Sequence, residues 1–395
     1  MRILMVSSYL PYPLYSGGDI RLYNLMKNLK KDGYKITLIC EKRDHQTSID
    51  VEKVSQLCEK VLTVPRKKQW TISNMIKAYV SLNSFLSVGH NLSQMTSLIA
   101  KEVKNGKYDL IHVETFYVFQ NVPATGLPIV LVEHNVEYMV YKRFADKAPL
   151  PLRPILNLDV WKIKKEEEKA WKKATALVAV SQEEKEIMKI KDVWVVPNGV
   201  DLEKFDVERR ARGDSQPKKV LFIGNFKYIQ NIDSADWIIK NVWPKVLKKA
   251  AERKIRIKLW VVGKNIPQSL KSMESQSILF DENAPVETEQ IYKEADLLLA
   301  PIRVGGGTSF KILESMATGL PVLTTKLGNE GINGVGGRDF IIDGTAEEFA
   351  ADIILLLTNK NKYGEISENA KSFIMENFDW KNITKKLEEV YKSLA

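Results

Sequence analysis

The densest cluster of ligand-holding residue types in the chain is Pro301-Ile-Arg-Val-Gly-Gly-Gly-Thr-Ser-Phe-Lys-Ile-Leu-Glu314. Glycines let backbone N–H groups approach a ligand closely, and a helix start favours anions through its unpaired donors and its dipole. A phosphate over Gly305, Gly306, Gly307 and Thr308 would have Lys311 beside it. Glu314, three residues further on the same helix face, would accept hydrogen bonds from sugar hydroxyls. That spacing suits a sugar nucleotide. The same residues also fit a plain tight turn followed by an ordinary surface ion pair, so the elements around them must decide.

Those elements alternate. Apolar strand-like runs at 2–7, 35–40, 110–113, 129–133, 177–180 and 193–196 are separated by helical patterns, the first at 20–31 with Leu22, Leu25, Met26 and Leu29 on one face. The rhythm restarts after a polar stretch, with strands at 220–223, 258–262, 278–280, 297–300 and 321–324 and helices at 233–251, 286–294, 309–317 and 346–358. Such alternation predicts an α/β protein with two Rossmann-like, doubly wound parallel sheets. Ligand loops would then lie at strand C-terminal ends, where the glycines fall. The expected domains are 1–202, a linker at 203–219, 220–375, and a C-terminal helix at 376–395 that returns to the first domain. The two domains are expected to face each other across a cleft.

A chain of 395 residues is long enough for two cores. Its 44% hydrophobic and 27% charged content is ordinary globular material. No apolar run reaches the roughly 20 residues that span a bilayer, and the N-terminus reads as a strand with no secretory leader, so a cytoplasmic location is expected. Cys40 and Cys58 form neither a disulfide frame nor a metal pattern. The formal net charge of +10 calls for anionic partners or serves solubility. Nucleic acid is not the expected partner, because zinc spacing, RNA-binding aromatic motifs and a basic tail are all missing.

Several segments together resemble the retaining glycosyltransferases of family 4, enzymes of the GT-B architecture. They are Ser16-Gly-Gly-Asp-Ile-Arg21, Tyr108-Asp-Leu-Ile-His-Val-Glu114, Glu133-His-Asn-Val-Glu137, Val195-Val-Pro-Asn-Gly-Val-Asp201, Val220-Leu-Phe-Ile-Gly-Asn225, Ala295-Asp-Leu-Leu-Leu-Ala-Pro301 and the glycine segment. The resemblance implies that the C-terminal domain binds a nucleoside diphosphate sugar and the N-terminal domain an acceptor. It also implies retention at the anomeric carbon, no cofactor and no obligatory metal. No Asp-x-Asp pair stands at a strand end to hold Mg²⁺.

Carried over by position, Glu314 holds the ribose hydroxyls, and Gly17 and Gly18 belong to the loop covering the diphosphate. Arg303 and Lys311 are placed near the leaving phosphates, and Lys227 is a further candidate for donor contact. The family's first glutamate is replaced by Gly306, so backbone amides would take over part of donor recognition in a Gly-Gly-Gly-Thr-x-x-Lys variant. Many relatives carry His-x-His where this chain has His112-Val-Glu114. His134 is the other strand-end histidine and the one favoured for contact with the transferred sugar; the alternative for each is a histidine held by backbone alone. Glu114 is a candidate base that aligns the acceptor hydroxyl.

The expected function is transfer of a hexose-type sugar to a glycan or lipid-linked acceptor in polysaccharide, lipopolysaccharide or other glycoconjugate synthesis. A nucleotide-sugar epimerase of the same architecture and a non-catalytic sugar-nucleotide or glycan binder are the alternatives. Segment 66–80 joins Arg66, Lys67 and Lys68 to an apolar stripe of Ile72, Met75, Ile76, Tyr79 and Val80. Such a stripe either packs in the core or gives peripheral contact with the inner face of a membrane. The Lys/Glu run at 161–173 reads as a solvated helix face. In the last helix, Ile383, Leu387, Val390 and Tyr391 read as packing residues.

Overall fold

The computed structural model describes residues 1–207, 216–285, 287–305 and 307–394. The part of the expected linker at 208–215, and Gly306, lie outside the described residues. The chain divides into two compact units: Met1–Pro197 joined by the segment from Lys381 onward, and Asn198–Trp380. The division lies at Pro197 rather than after Leu202.

The first unit is built on seven parallel strands: β1 (Arg2–Ser7), β2 (Lys35–Lys42), β3 (Lys60–Pro65), β4 (Leu110–Glu114), β5 (Ile129–Glu133), β6 (Ala176–Ala179) and β7 (Val193–Val195). Their order is β3-β2-β1-β4-β5-β6-β7. The second unit has six: β8 (Lys218–Asn225), β9 (Ile257–Lys264), β10 (Ile278–Asp281), β11 (Leu297–Ala300), β12 (Val322–Thr324) and β13 (Ile341–Ile342), in the order β10-β9-β8-β11-β12-β13. Every pairing between these strands is parallel. Two Rossmann-like sheets are thus present as the alternation requires.

Parallel strands covered on both faces are continuous apolar runs, and β4 is buried along its whole length. In the second unit, alternation along each strand sends side chains to opposite cores. Val220, Phe222, Leu297 and Leu299 join Trp243 and Phe349 on one face. Leu221, Leu298 and Ala300 join Tyr292 and Met316 on the other.

Two strands were not expected, β3 and β13. Both are edge strands: β3 is only half-buried and closes on a proline, and β13 is two residues long. Edges lack the dense apolar signal of central strands. The expected helix 233–251 is three consecutive pieces, Ile229–Trp237, a π turn at Ile238–Val242, and Trp243–Glu252. Pro244, which has no N–H to give the preceding turn, follows the widened segment. The first helix starts at Gly17, before the expected position, because Ser16 caps it in a reciprocal box with Asp19.

The 161–173 run is not simply a solvated face. It belongs to the helix Arg153–Lys173, in which Lys162, Ile163, Glu167, Ala170 and Trp171 are buried, although the Lys164–Glu168 ion pair forms at 3.8 Å.

β8 and β9 come closest where Gly224 lies opposite Gly263. A Cβ on Gly263 would stand 1.9 Å from the Gly224 carbonyl oxygen, which is backbone and cannot rotate away. Gly263→Ala is expected to destabilise the second unit by about 1–3 kcal/mol through overpacking. Guanidinium unfolding of the variant measures it, and an unchanged midpoint would show that the strands part without cost.

Candidate active site

In the first unit, β4 ends at Glu114 and β5 runs into His134. Glu114 is fully buried. Its Oε1 meets His112 Nε2 at 2.8 Å, and its Oε2 meets His134 Nε2. Burial pushes the Glu114 carboxyl up, but the two histidines, His134 foremost, outweigh it and hold the group well below its ordinary range. An ionised carboxylate only accepts, so both histidines present Nε2–H to it. With Nε2 turned to Glu114, His112 Nδ1 is left to pair with the Tyr391 hydroxyl, 2.7 Å away. Arg21 is also buried; desolvation lowers its pKa, and the Glu114 charge acts in the opposite direction.

Glu114, the expected candidate base, has both oxygens engaged by histidine nitrogens and no exposed surface. His134 is 17% exposed, and with Nε2 taken, Nδ1 is its remaining ring nitrogen for a ligand. Gly18 lies against it: a Cβ there would be 3.1 Å from the Tyr9 hydroxyl and 3.5 Å from His134 Cε1. Gly17 and Gly18 form the first turn of the helix Gly17–Lys31, at the helix start where they were expected.

The Glu133-His134-Asn135-Val136-Glu137 turn is held by carboxylates from other helices. Glu167 accepts from the Glu137 and Tyr138 amides at 2.8 and 3.1 Å, and Glu184 from the Val136 amide at 2.7 Å. Glu133 accepts from Trp171 Nε1 at 3.0 Å. Burial raises Glu133 well above its ordinary value and pushes Glu167 up to about 8. These groups fix the backbone that carries His134.

In the second unit, β11 runs into Arg303 and the glycine segment, and the helix Phe310–Ala317 follows. Gly305 and Gly307 adopt φ of +109° and +80°, conformations that favour glycine. No side chain caps the helix start at Ser309. The Thr308 hydroxyl donates to the Gly331 carbonyl at 3.3 Å, tying the turn to a neighbouring loop. Lys311 Nζ donates to Asn231 Oδ1 at 2.8 Å and stands over the Phe222 ring. Asn231 is itself set by its Nδ2 donating to the Asn225 carbonyl at 2.8 Å. Glu314 accepts from the Tyr292 hydroxyl at 3.0 Å.

Burial lowers Lys311 to about 7, opposed by Glu314. Burial raises Glu314 to about 7, opposed by the Tyr292 hydrogen bond and the Lys204 charge. Arg303 is exposed, 3.8 Å from Asp233 and over the Trp237 ring. Both cations are therefore held by the helix Ile229–Trp237. Lys227 is exposed, and its backbone N–H donates to Asn225 Oδ1 at 3.1 Å.

Within each unit the structure assembles most of the expected residues: Gly18, Glu114 and His134 in the first, Gly305, Gly307, Thr308, Lys311 and Glu314 in the second. Sequence reasoning missed Tyr292 as the partner of Glu314 and treated Tyr391 as packing alone. Neither tyrosine carries a local signal, because each partner lies far away in sequence.

A sequence profile described as Glycosyltransferase Family 4 matches residues 15–204, and one described as Glycosyl transferases group 1 matches residues 217–359. An "Uncharacterized 44.6 kDa protein in cps region" of Klebsiella pneumoniae is 26% identical, over 97% of both chains. The "UDP-Gal:alpha-D-GlcNAc-diphosphoundecaprenol alpha-1,3-galactosyltransferase" of Escherichia coli is 24% identical over 76% of this chain and 79% of its own. The crystal structure of Anabaena HepE in complex with UDP-glucose shares the fold across 100% of both chains, with a TM-score of 0.63 and 15% identity. The chain is a glycosyltransferase of the GT-B kind. Its two matched profiles fall one on each unit.

Glu114 also sets a pH dependence. Its folded pKa lies below the unfolded value of 4.5, so on acidification the unfolded chain takes up the proton first. The stabilisation is complete above about pH 4.5 and is lost as pH falls towards the folded pKa. Glu114→Gln is expected to lower stability at pH 7 by about 3–5 kcal/mol, since it breaks a buried charged pair. It is also expected to flatten the acid limb of the stability profile. Urea melts from pH 3 to 7 test this, and parallel wild-type and variant profiles would remove the assignment.

Proposed function

We propose that this chain transfers a hexose-type sugar from a uridine diphosphate sugar to a hydroxyl of a glycan or lipid-linked acceptor, with retention at the anomeric carbon. The observation that carries the reading is the buried Lys311 and Glu314, one helical turn apart on the helix that follows Gly305 and Gly307. A cation poised near its pKa suits a diphosphate, and a carboxylate one helical turn away suits ribose hydroxyls. Uridine as the base is supported by the UDP-sugar named for the Escherichia coli relative and by the UDP-glucose bound in HepE. The cps-region and diphosphoundecaprenol relatives support an acceptor in polysaccharide or other glycoconjugate synthesis, at the inner face of a membrane.

In this reading Lys311, Arg303 and the amides of Gly305, Gly307 and Thr308 meet the charge that develops on the departing diphosphate, without a metal ion. Gly17, Gly18 and Lys227 complete the donor grip. A leaving phosphate oxygen takes the proton of the attacking hydroxyl on the same face. Retention then needs no carboxylate base, which agrees with Glu114 being sealed between two histidines. Glu114 fixes the His134 ring, and His134 Nδ1 contacts the sugar being transferred. The family matches favour transfer over epimerisation or binding alone.

Glu314→Ala is expected to weaken UDP binding by about 1–3 kcal/mol, the worth of hydrogen bonds to a charged group. Titration calorimetry with UDP measures it, and unchanged affinity would remove the ribose assignment. His134→Ala is expected to lower kcat by about 10- to 100-fold with little change in UDP affinity. Unaltered turnover would return His134 to a structural role. The same assay, run in EDTA with the product's anomeric configuration read by proton NMR, decides metal independence and retention: loss of turnover or an inverted linkage sinks them.

A further inference from the structure

The helix Ile72–Val80 carries apolar residues at the spacing of a core-facing stripe, yet Ala78 alone of its residues is buried. Ile72 is 76% exposed, Tyr79 75% and Val80 74%, with Met75 and Ile76 also exposed and Trp70 just before the helix at 77%. The helix is nevertheless fastened. The buried Lys162 Nζ donates to the carbonyls of Ala78 and Ser81 at 2.5 and 2.8 Å, holding the helix C-terminus. Thr71 caps its start through the Asn74 amide at 3.2 Å. The following turn is held by Glu166 on the Ser84 amide at 2.9 Å and by Asp159 on the Phe85 amide at 2.8 Å. Trp70 packs on Phe85 with ring centroids 4.7 Å apart.

An apolar face presented this firmly to solvent marks an interaction surface. Its charge identifies the occupant. Residues 60–101 contain no Asp or Glu, while Lys67, Lys68 and Lys77 are exposed beside the apolar face and Arg66 is half-exposed. A second copy of this chain, which itself carries a net charge of +10, offers no matching field. A bilayer rich in anionic lipid offers both a negative plane for the lysines and an acyl boundary for the aromatic and aliphatic side chains. Exposed Leu158 and Trp161 extend the apolar surface on the helix that carries Lys162.

We propose that the Ile72–Val80 helix and its preceding basic turn dock the first unit on an anionic membrane surface. The helix lies in the interfacial plane with Trp70, Ile76 and Tyr79 inserted and the lysines at headgroup level. The inference goes beyond the transfer reading, and its test needs no turnover, so either can fail alone.

The test is co-sedimentation of the full chain with vesicles of phosphatidylglycerol and phosphatidylethanolamine, against vesicles of phosphatidylcholine. The protein is expected to pellet with the anionic vesicles and to be released by salt. A Lys67→Gln/Lys68→Gln/Lys77→Gln variant is expected to lose about 100-fold in partitioning, since each basic residue at such a surface contributes roughly five-fold. An Ile72→Ser/Ile76→Ser/Tyr79→Ser variant is expected to lose at least about 10-fold, because apolar insertion is removed. All six positions are exposed, so thermal midpoints and UDP affinity should stay at wild-type values. Wild-type protein left in the supernatant, equal binding to phosphatidylcholine, or binding unaffected by either variant would overturn the proposal. So would a dimer in sedimentation velocity that the apolar variant dissolves, if wild type does not pellet with vesicles.

Discussion

A buried carboxylate without compensation costs several kcal/mol, and the first unit is arranged around meeting that requirement at Glu114. The compensation comes from well-separated parts of the chain. His112 precedes it on β4, His134 follows β5, and Tyr391 arrives from the last helix to satisfy the far nitrogen of His112. Arg21, from the first helix, is buried within reach of the same charge. A single ionised group thus links the ends of two strands and, through His112, the C-terminal helix of this unit. The same carboxylate engages the rings of both His112 and His134 through Nε2.

The second unit uses its ionisable groups in the opposite way. Glu114 is locked in one state, whereas Lys311 and Glu314 are both drawn to about 7, where neither protonation state dominates. Their neutral hydrogen-bond partners, Asn231 and Tyr292, fix geometry without fixing charge. A negative charge beside Lys311 would favour its protonated form. The π turn Ile238–Val242 continues the helix that carries Asn231, and Gly224 faces Gly263 at the strand end from which the Asn225 carbonyl anchors Asn231.

The architecture was largely legible because its signals are local. Apolar runs such as Ile129–Glu133 and Leu297–Ala300 are strands with the bounds read from sequence, and the Ala346–Thr358 helix is too. The edge strands β3 and β13 were lost for the same reason, since a half-buried edge has no continuous run to detect. The candidate site was legible where chemistry follows one short segment, from Gly305 to Glu314. It was not legible for Glu114, whose residue type suggests a base and whose surroundings make it a clamp.

By itself, the sequence determined two α/β units, the positions of all their strands but the two edge ones, and the glycine-to-glutamate segment, because strand period, helix period and turn chemistry are written in neighbouring residues. Only the tertiary structure decided which groups meet: Tyr391 with His112, Tyr292 with Glu314, Asn231 with Lys311. It also decided that the stripe from Ile72 to Val80 faces outward. An i, i+3, i+4 pattern is the same string whether a core or a solvent lies beside it, and that choice rests on what the rest of the chain brings near.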